Sequence, residues 1–145
     1  MARRPFRADD RDACLALFDG NTPTFFAPSE REGFAAFLDA PNGPYLVIER
    51  EGRVLACGGW RARGDVGTVV WTLVARDAQG GGVGRALIEP LLDALQHEPG
   101  LRLWRLETTP LVAPFFARYG FVETGRIVNG YAPGLDQVEM VRPPR

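Results

Sequence analysis

The chain has 145 residues, 46% of them apolar, with 17 basic and 18 acidic side chains and a formal net charge of −1. That length suits one domain rather than two, and the basic residues, all arginine, form no run of the kind a polyanion-binding face needs. No apolar stretch approaches the roughly 20 residues of a membrane span, and nothing apolar follows the arginines of the MARRPFRADD start. The expected compartment is therefore the cytoplasm, with neither nucleic acid nor membrane as partner. Cys14 and Cys57 stand far apart and outside any Cys/His cluster, so they read as small core residues and no metal is expected.

In chain order, residues 4–7 read as a short first strand. Asp9 or Asp10 can cap a helix whose apolar face is Cys14, Leu17 and Phe18, with Gly20 at its end. A loop over 21–28 carries Phe25 and Phe26. Ser29 with Glu32 has the spacing of a capping box, and Phe34, Phe37 and Leu38 form the apolar face of the second helix that follows. Strands at 45–50 and 53–61 are joined by the hairpin signal Glu51-Gly52, and Gly58-Gly59 suggests a bulge in the second. The run 68–74 (TVVWTLV) is almost continuously apolar and predicts a central strand buried on both faces. A helix with Val83, Leu87, Leu91 and Leu95 on one stripe comes next, and Pro90 is expected to kink it. Then come a strand at 101–108, a short helix beginning at Pro110 or Pro114 and closed by Gly120, and strands at 122–128 and 136–142 linked by the turn-rich NGYAPGL. The order βααβββαβαββ describes an α/β or α+β sheet with helices on its faces.

The chemistry concentrates at Gln79-Gly80-Gly81-Gly82-Val83-Gly84, between the central strand and the amphipathic helix. Glycines there let the backbone approach an anion closely. The first N–H groups of the helix have no internal partner and, with the helix dipole, suit a pyrophosphate. The loop ends without the GK[ST] of a triphosphate-binding loop, and after Gly80 and Gly82 the third glycine of G-x-G-x-x-G would fall on Arg85.

Gln79-x-x-Gly82-x-Gly84 resembles the Q/R-x-x-G-x-G/A signature of the GNAT superfamily of N-acetyltransferases, and Phe115-Phe116-Ala117-Arg118-Tyr119-Gly120-Phe121 resembles that family's later F-Y-x-x-x-G-F element. The resemblance extends along nearly the whole chain and makes 1–145 a single acyltransferase domain. It implies a GNAT-like mixed, largely antiparallel sheet with helices on both faces, splayed between the fourth and fifth strands. It implies that acetyl-CoA is co-substrate, its pyrophosphate on the backbone of residues 79–85 (Gln79, Gly80, Gly81, Gly82, Val83, Gly84, Arg85), its pantetheine arm along Leu73 and Val74 and beside Thr109 and Phe116. A backbone N–H near Val74, at a bulge, would stabilise the oxyanion. An amine of a small molecule or protein is the acceptor, walled by Asn21, Phe25, Phe26 and Tyr131, and a strand-edge homodimer is a family-level expectation.

Three residues depart from that pattern. Gly81 replaces a basic residue, with Arg85 or Arg76 as substitutes; Thr109 replaces a frequent Asn; and Phe116 stands where the family's usual Tyr protonates the leaving thiolate. Glu107 is then the candidate base, or else a strand residue paired with an arginine, and Tyr131 the candidate acid, or else a turn aromatic. Acyltransferase activity competes with two other readings: a coenzyme A-binding sensor with weak or no catalysis, and an interaction module whose glycine loop binds no anion.

Overall fold

The computed structural model describes residues 1–144. The chain runs β1 (Ala2–Pro5), α1 (Arg11–Gly20), α2 (Arg31–Asp39), β2 (Tyr45–Arg50), β3 (Arg53–Arg63), β4 (Val66–Val74), α3 (Val83–His97), β5 (Leu103–Thr108), α4 (Ala113–Ala117), β6 (Val122–Ala132) and β7 (Leu135–Arg142), with 3-10 turns at Ala8–Asp10, Pro28–Glu30 and Arg76–Ala78. The seven strands form one sheet in the order β1-β2-β3-β4-β5-β7-β6. Neighbours are antiparallel except β4 and β5, which are parallel. The mixed, largely antiparallel sheet is the one the sequence implies.

Each face of the sheet carries its own core. On one, α3 presents Val83, Leu87, Ile88, Leu91, Leu92 and Leu95 to Ile48, Val69, Trp104, Leu106 and the α4 residue Phe116. On the other, Cys14, Leu17 and Phe18 of α1 and Phe34 and Leu38 of α2 cover Val47, Cys57 and Leu73. Both cysteines are fully buried, as their small apolar character predicts. Each buried Leu or Ile is worth about 1.5–3 kcal/mol. The α3 stripe therefore outweighs the cost of about 3 kcal/mol for an interior proline, and the helix runs through Pro90 without a break.

Several expectations move. The first strand lies earlier, at Ala2–Pro5, held by Arg4: its guanidinium donates to Asp10 Oδ2 and Oδ1 at 2.7 and 2.8 Å and to Glu49 at 3.0 Å, tying strand to helix start. The capping interaction before α2 lies two residues earlier. Glu30, not Glu32, accepts a backbone N–H, from Ala27 at 2.8 Å, because Pro28 takes the first helical position and makes Glu30 the third. The last hairpin is longer than its turn residues suggest. β6 continues to Ala132 through a register shift between Ile127 and Ala132, where Asn129 has φ +57°, so Tyr131 belongs to a strand end and not to a loop.

β4 also differs. Val70, Trp71, Thr72 and Val74 are only partly buried. A bulge sets Trp71 at φ +45°, and the β3 register slips between Cys57 and Gly59 opposite it. The strand borders an opening.

Candidate functional site

Strands β4 and β5 pair only at Val66–Leu103, Gly67–Trp104 and Thr68–Arg105. Past Thr68, β4 stays with β3 and β5 with β7. Their facing edges diverge and open a cleft of about 970 Å³, the splay that the sequence implies between the fourth and fifth strands. Leu73 and Val74 border it; Gln79, Gly80, Gly82, Gly84 and Arg85 line one end; Phe25, Phe26, Glu30, Glu107 and Tyr131 line another part of its wall.

At the glycine end, Gly82 is the N-cap of α3, with φ +85° and ψ 1°, and no side chain caps the helix there. Only glycine takes that conformation without strain. The N–H groups of the first helical turn are left unpaired by helix geometry and face a first turn with no acidic residue. Gly84 serves packing instead: a Cβ there would meet the Phe115 ring at 3.3 Å. Gly81 and Val83 do not line the cleft, and the Val83 side chain is buried in the core. Of the two arginines expected to replace a basic loop residue, Arg85 lines the cleft and donates to Glu89 at 2.7 Å, while Arg76 lies over the Phe25 ring at 5.0 Å.

In the middle, Ala75 donates its N–H to Leu55 O at 2.8 Å on the β3 side. Alternation along the ladder then turns the N–H and C=O of Val74 the other way, toward the cleft. The carbonyl accepts from Asn21 Nδ2 at 3.0 Å and from Gln79 Nε2 at 3.3 Å. The N–H gets no partner from β5, whose ladder stops at Thr68. Thr109 borders the same stretch. It is 4% exposed, and its hydroxyl is buried with no hydrogen-bond partner among the described residues. Such an orphan is uncommon in a folded protein, and this one belongs to a residue of the cleft wall. The unpaired helix N-terminus, the free strand edge and the orphaned hydroxyl together fit an extended ligand with an anionic end and amide groups along its length, which coenzyme A has.

The remaining candidates separate. Phe116 lines the cleft with its ring 3% exposed, edge-on to Phe115 and Phe121, and brings no proton donor. Glu107 accepts from Arg105 at 2.7 Å through one oxygen and from Gln137 through the other. Arg105 also binds Glu139 at 2.8 Å, so the arginine-paired alternative for Glu107 holds. Burial pushes the Tyr131 phenol well above its ordinary value, with the charges of Glu30 and Glu107 adding to it, and the hydroxyl stays protonated at physiological pH. Phe26 is a packing residue, 5.2 Å from Phe18 and 6.3 Å from Trp71 between ring centres. Asn21 is 2% exposed, with its amide turned inward.

Sequence reasoning missed Glu30, Arg105, Phe115 and Tyr119 on the cleft wall. For Glu30 the signal was Pro28, which sets the capping register. Glu30 carries only the Ala27 N–H and no cationic partner among the described residues, and burial raises its carboxyl above the ordinary value. Among the described residues, no group of three His, Cys, Asp or Glu side chains could hold a metal, and no helix is long and apolar enough to cross a membrane.

The family model for "Acetyltransferase (GNAT) family" matches residues 14–121. No curated protein matches the chain. Among solved structures, the ribosomal-protein-S18-alanine N-acetyltransferase from Escherichia coli superposes with a TM-score of 0.81 at 22% identity, over 98% of this chain and 92% of its own. An acetyltransferase from Salmonella typhimurium, solved with its cofactor acetyl-CoA, gives 0.76 at 18% over 99% and 93%. An aminoglycoside 6′-N-acetyltransferase complexed with coenzyme A gives 0.78 at 13% over 100% and 99%. At these identities the likeness is one of fold, and the differing acceptors in those names leave the acceptor open.

Proposed function

The chain belongs to the GNAT acetyltransferase family, and from that premise we propose that its 145 residues act as one domain that moves an acetyl group from acetyl-CoA directly to an amine of a small molecule or a protein. The observation that carries this reading is the continuity of one cleft from the uncapped N-terminus of α3 to the free edge of β4 at Val74.

In this reading the backbone N–H groups of residues 80–85 hold the pyrophosphate. Leu73, Val74 and Thr109 hold the pantetheine arm, with the Thr109 hydroxyl gaining the partner it lacks. Acetyl-CoA supplies an activated thioester carbonyl. The Val74 N–H donates to its oxygen as charge develops there. A neutral amine is needed for attack, whereas an alkylammonium with a pKa near ~10.4 is almost wholly charged at pH 7. Glu30 is the carboxylate that takes this proton, because Glu107 is already engaged by Arg105 and Gln137. The C–N bond forms and the C–S bond breaks; the proton that the amine nitrogen sheds on acylation passes to the leaving thiolate, relayed by the Tyr131 hydroxyl or by water. Phe25, Phe26 and Tyr131 wall the acceptor.

The test is release of free coenzyme A from acetyl-CoA across a panel of primary amines. Amine-dependent release is expected. Coenzyme A binding without release by any amine would favour a sensor instead. Phe116→Tyr would place a phenol where the chain has none and is expected to raise the rate, by up to about 10²-fold if general acid help is what is missing. Glu30→Gln is expected to lower amine-dependent release by about 10²-fold with acetyl-CoA affinity unchanged. An unchanged rate would remove Glu30 from the proton path.

A further inference from the structure

The splay that opens the cleft creates a backbone problem at Val74. A strand in the middle of a sheet has both edges paired, yet β4 loses β5 after Thr68. A carbonyl left without a donor where water is excluded costs about 1–3 kcal/mol. Asn21 meets that need from 53 residues away in sequence. Its Nδ2 donates to Val74 O at 3.0 Å and to Leu17 O, in the last turn of α1, at 2.7 Å. Its Oδ1 accepts from Gln79 Nε2 at 3.1 Å, and that amide also reaches Val74 O at 3.3 Å. The end of α1, the end of β4 and the first residue of the glycine loop thus meet on one buried carboxamide.

We propose that Asn21 is a positioning residue for acetyl transfer: it takes the place of the absent β5 partner at the Val74 carbonyl and so anchors the end of β4 to α1, which holds the Val74 N–H, on the preceding peptide, toward the thioester oxygen. The inference rests on the acetyl-CoA reading given above. Gln79 Nε2 reaches the same carbonyl at the longer distance of 3.3 Å, and the Ala75 N–H of that peptide is bonded to β3 on the opposite edge. An aspartate could not substitute, because its oxygens would face the two carbonyls that Nδ2 now serves. A plain helix-capping role would need only the Leu17 contact. The contacts to Val74 and Gln79 are what reach the cleft.

The stretch of a thioester carbonyl moves to lower frequency as hydrogen bonding to it strengthens, so infrared difference spectra with acetyl-CoA labelled with carbon-13 at the carbonyl report the donor directly. The bound band in Asn21→Ala is expected at higher frequency than in the wild type, with coenzyme A affinity within about threefold. With an amine from the panel, kcat falls by about 10²-fold, the usual scale for a small misplacement of a reacting group, while the KM for acetyl-CoA stays near its wild-type value. Gln79→Ala removes one donor to Val74 and is expected to shift the band the same way by less. It decides the matter if Asn21→Ala does not fold. Coincident bands in the variant and the wild type would overturn the role of Asn21 and leave the acetyl-CoA reading intact. A wild type that shows no stabilisation by acetyl-CoA in a thermal melt would overturn both.

Discussion

Gly82→Trp is expected to lose coenzyme A binding entirely while remaining folded. Its φ of +85° costs any L-residue about 1–2 kcal/mol, which for a domain of this size lowers Tm by about 2–8 °C. Apart from its own chain neighbours, no atom of the described residues lies within 4 Å of where its Cβ would stand. A large side chain therefore meets only the space in front of the α3 N-terminus, where the pyrophosphate would lie. The matched control is Gly100→Trp. Gly100 has φ +82° and equally open surroundings, but it follows the far end of α3. Thermal melts with and without coenzyme A separate the two effects. Both variants should melt lower, and only Gly82→Trp should show no upward shift on adding ligand. If Gly82→Trp is still stabilised by coenzyme A, the glycine loop does not hold the pyrophosphate.

The second large effect falls on stability. Asp10→Ala is expected to cost about 2–4 kcal/mol. The Asp10 side chain is 6% exposed and takes both arms of the Arg4 guanidinium as well as the Arg7 N–H at 2.8 Å. Removing one partner of a buried pair costs about 3–5 kcal/mol. The figure here is lower because Arg4 is 19% exposed and keeps Glu49. Asp39→Ala, which breaks an exposed pair with Arg11, is the comparison and should cost under about 1 kcal/mol. Arg4 holds the Asp10 carboxyl below the ordinary range. A depressed carboxylate stabilises the fold fully above its unfolded value, near ~3.9, and less as pH falls through the folded value. Urea titrations should find a constant gap between wild type and Asp10→Ala from about pH 5 to 8, closing below about pH 4. A gap that persists unchanged at low pH would mean the loss is one of packing and not of charge.

The parts of this molecule legible in its sequence are those that a single segment determines. The α1, α2 and α3 stripes, the Glu51-Gly52 hairpin and the start of a helix at the glycine loop follow from local spacing and from residue types with one good conformation. The cleft wall was half legible. Gln79 to Arg85 come from one motif, but Glu30 depends on a register that Pro28 sets and on burial by distant segments. Tyr131 was found and wrongly given to a loop, since the strand resumes after Asn129 at a positive φ that asparagine tolerates and the turn-rich composition hides. Asn21 reads in the sequence only as a wall of the acceptor site, and it does line the cleft. Nothing local distinguishes an asparagine facing solvent from one whose amide closes a gap between elements 53 and 58 residues away.

The bulge at Trp71 explains why β4 has no period of two in its sequence. Before it, odd-numbered Gly67 and Val69 lie against the α3 side. After it, odd-numbered Trp71 and Leu73 face α1 and α2, and even-numbered Thr72 and Val74 point toward α3. The strand is two half-strands of opposite phase joined by one supernumerary residue. Gly58 alone stands opposite Trp71 and Thr72, so the extra residue is absorbed within β4 while β3 keeps its own alternation. Removing Trp71 would therefore leave Leu73 opposite Cys57 and in the same core, and would merge the two half-strands into one of regular period two.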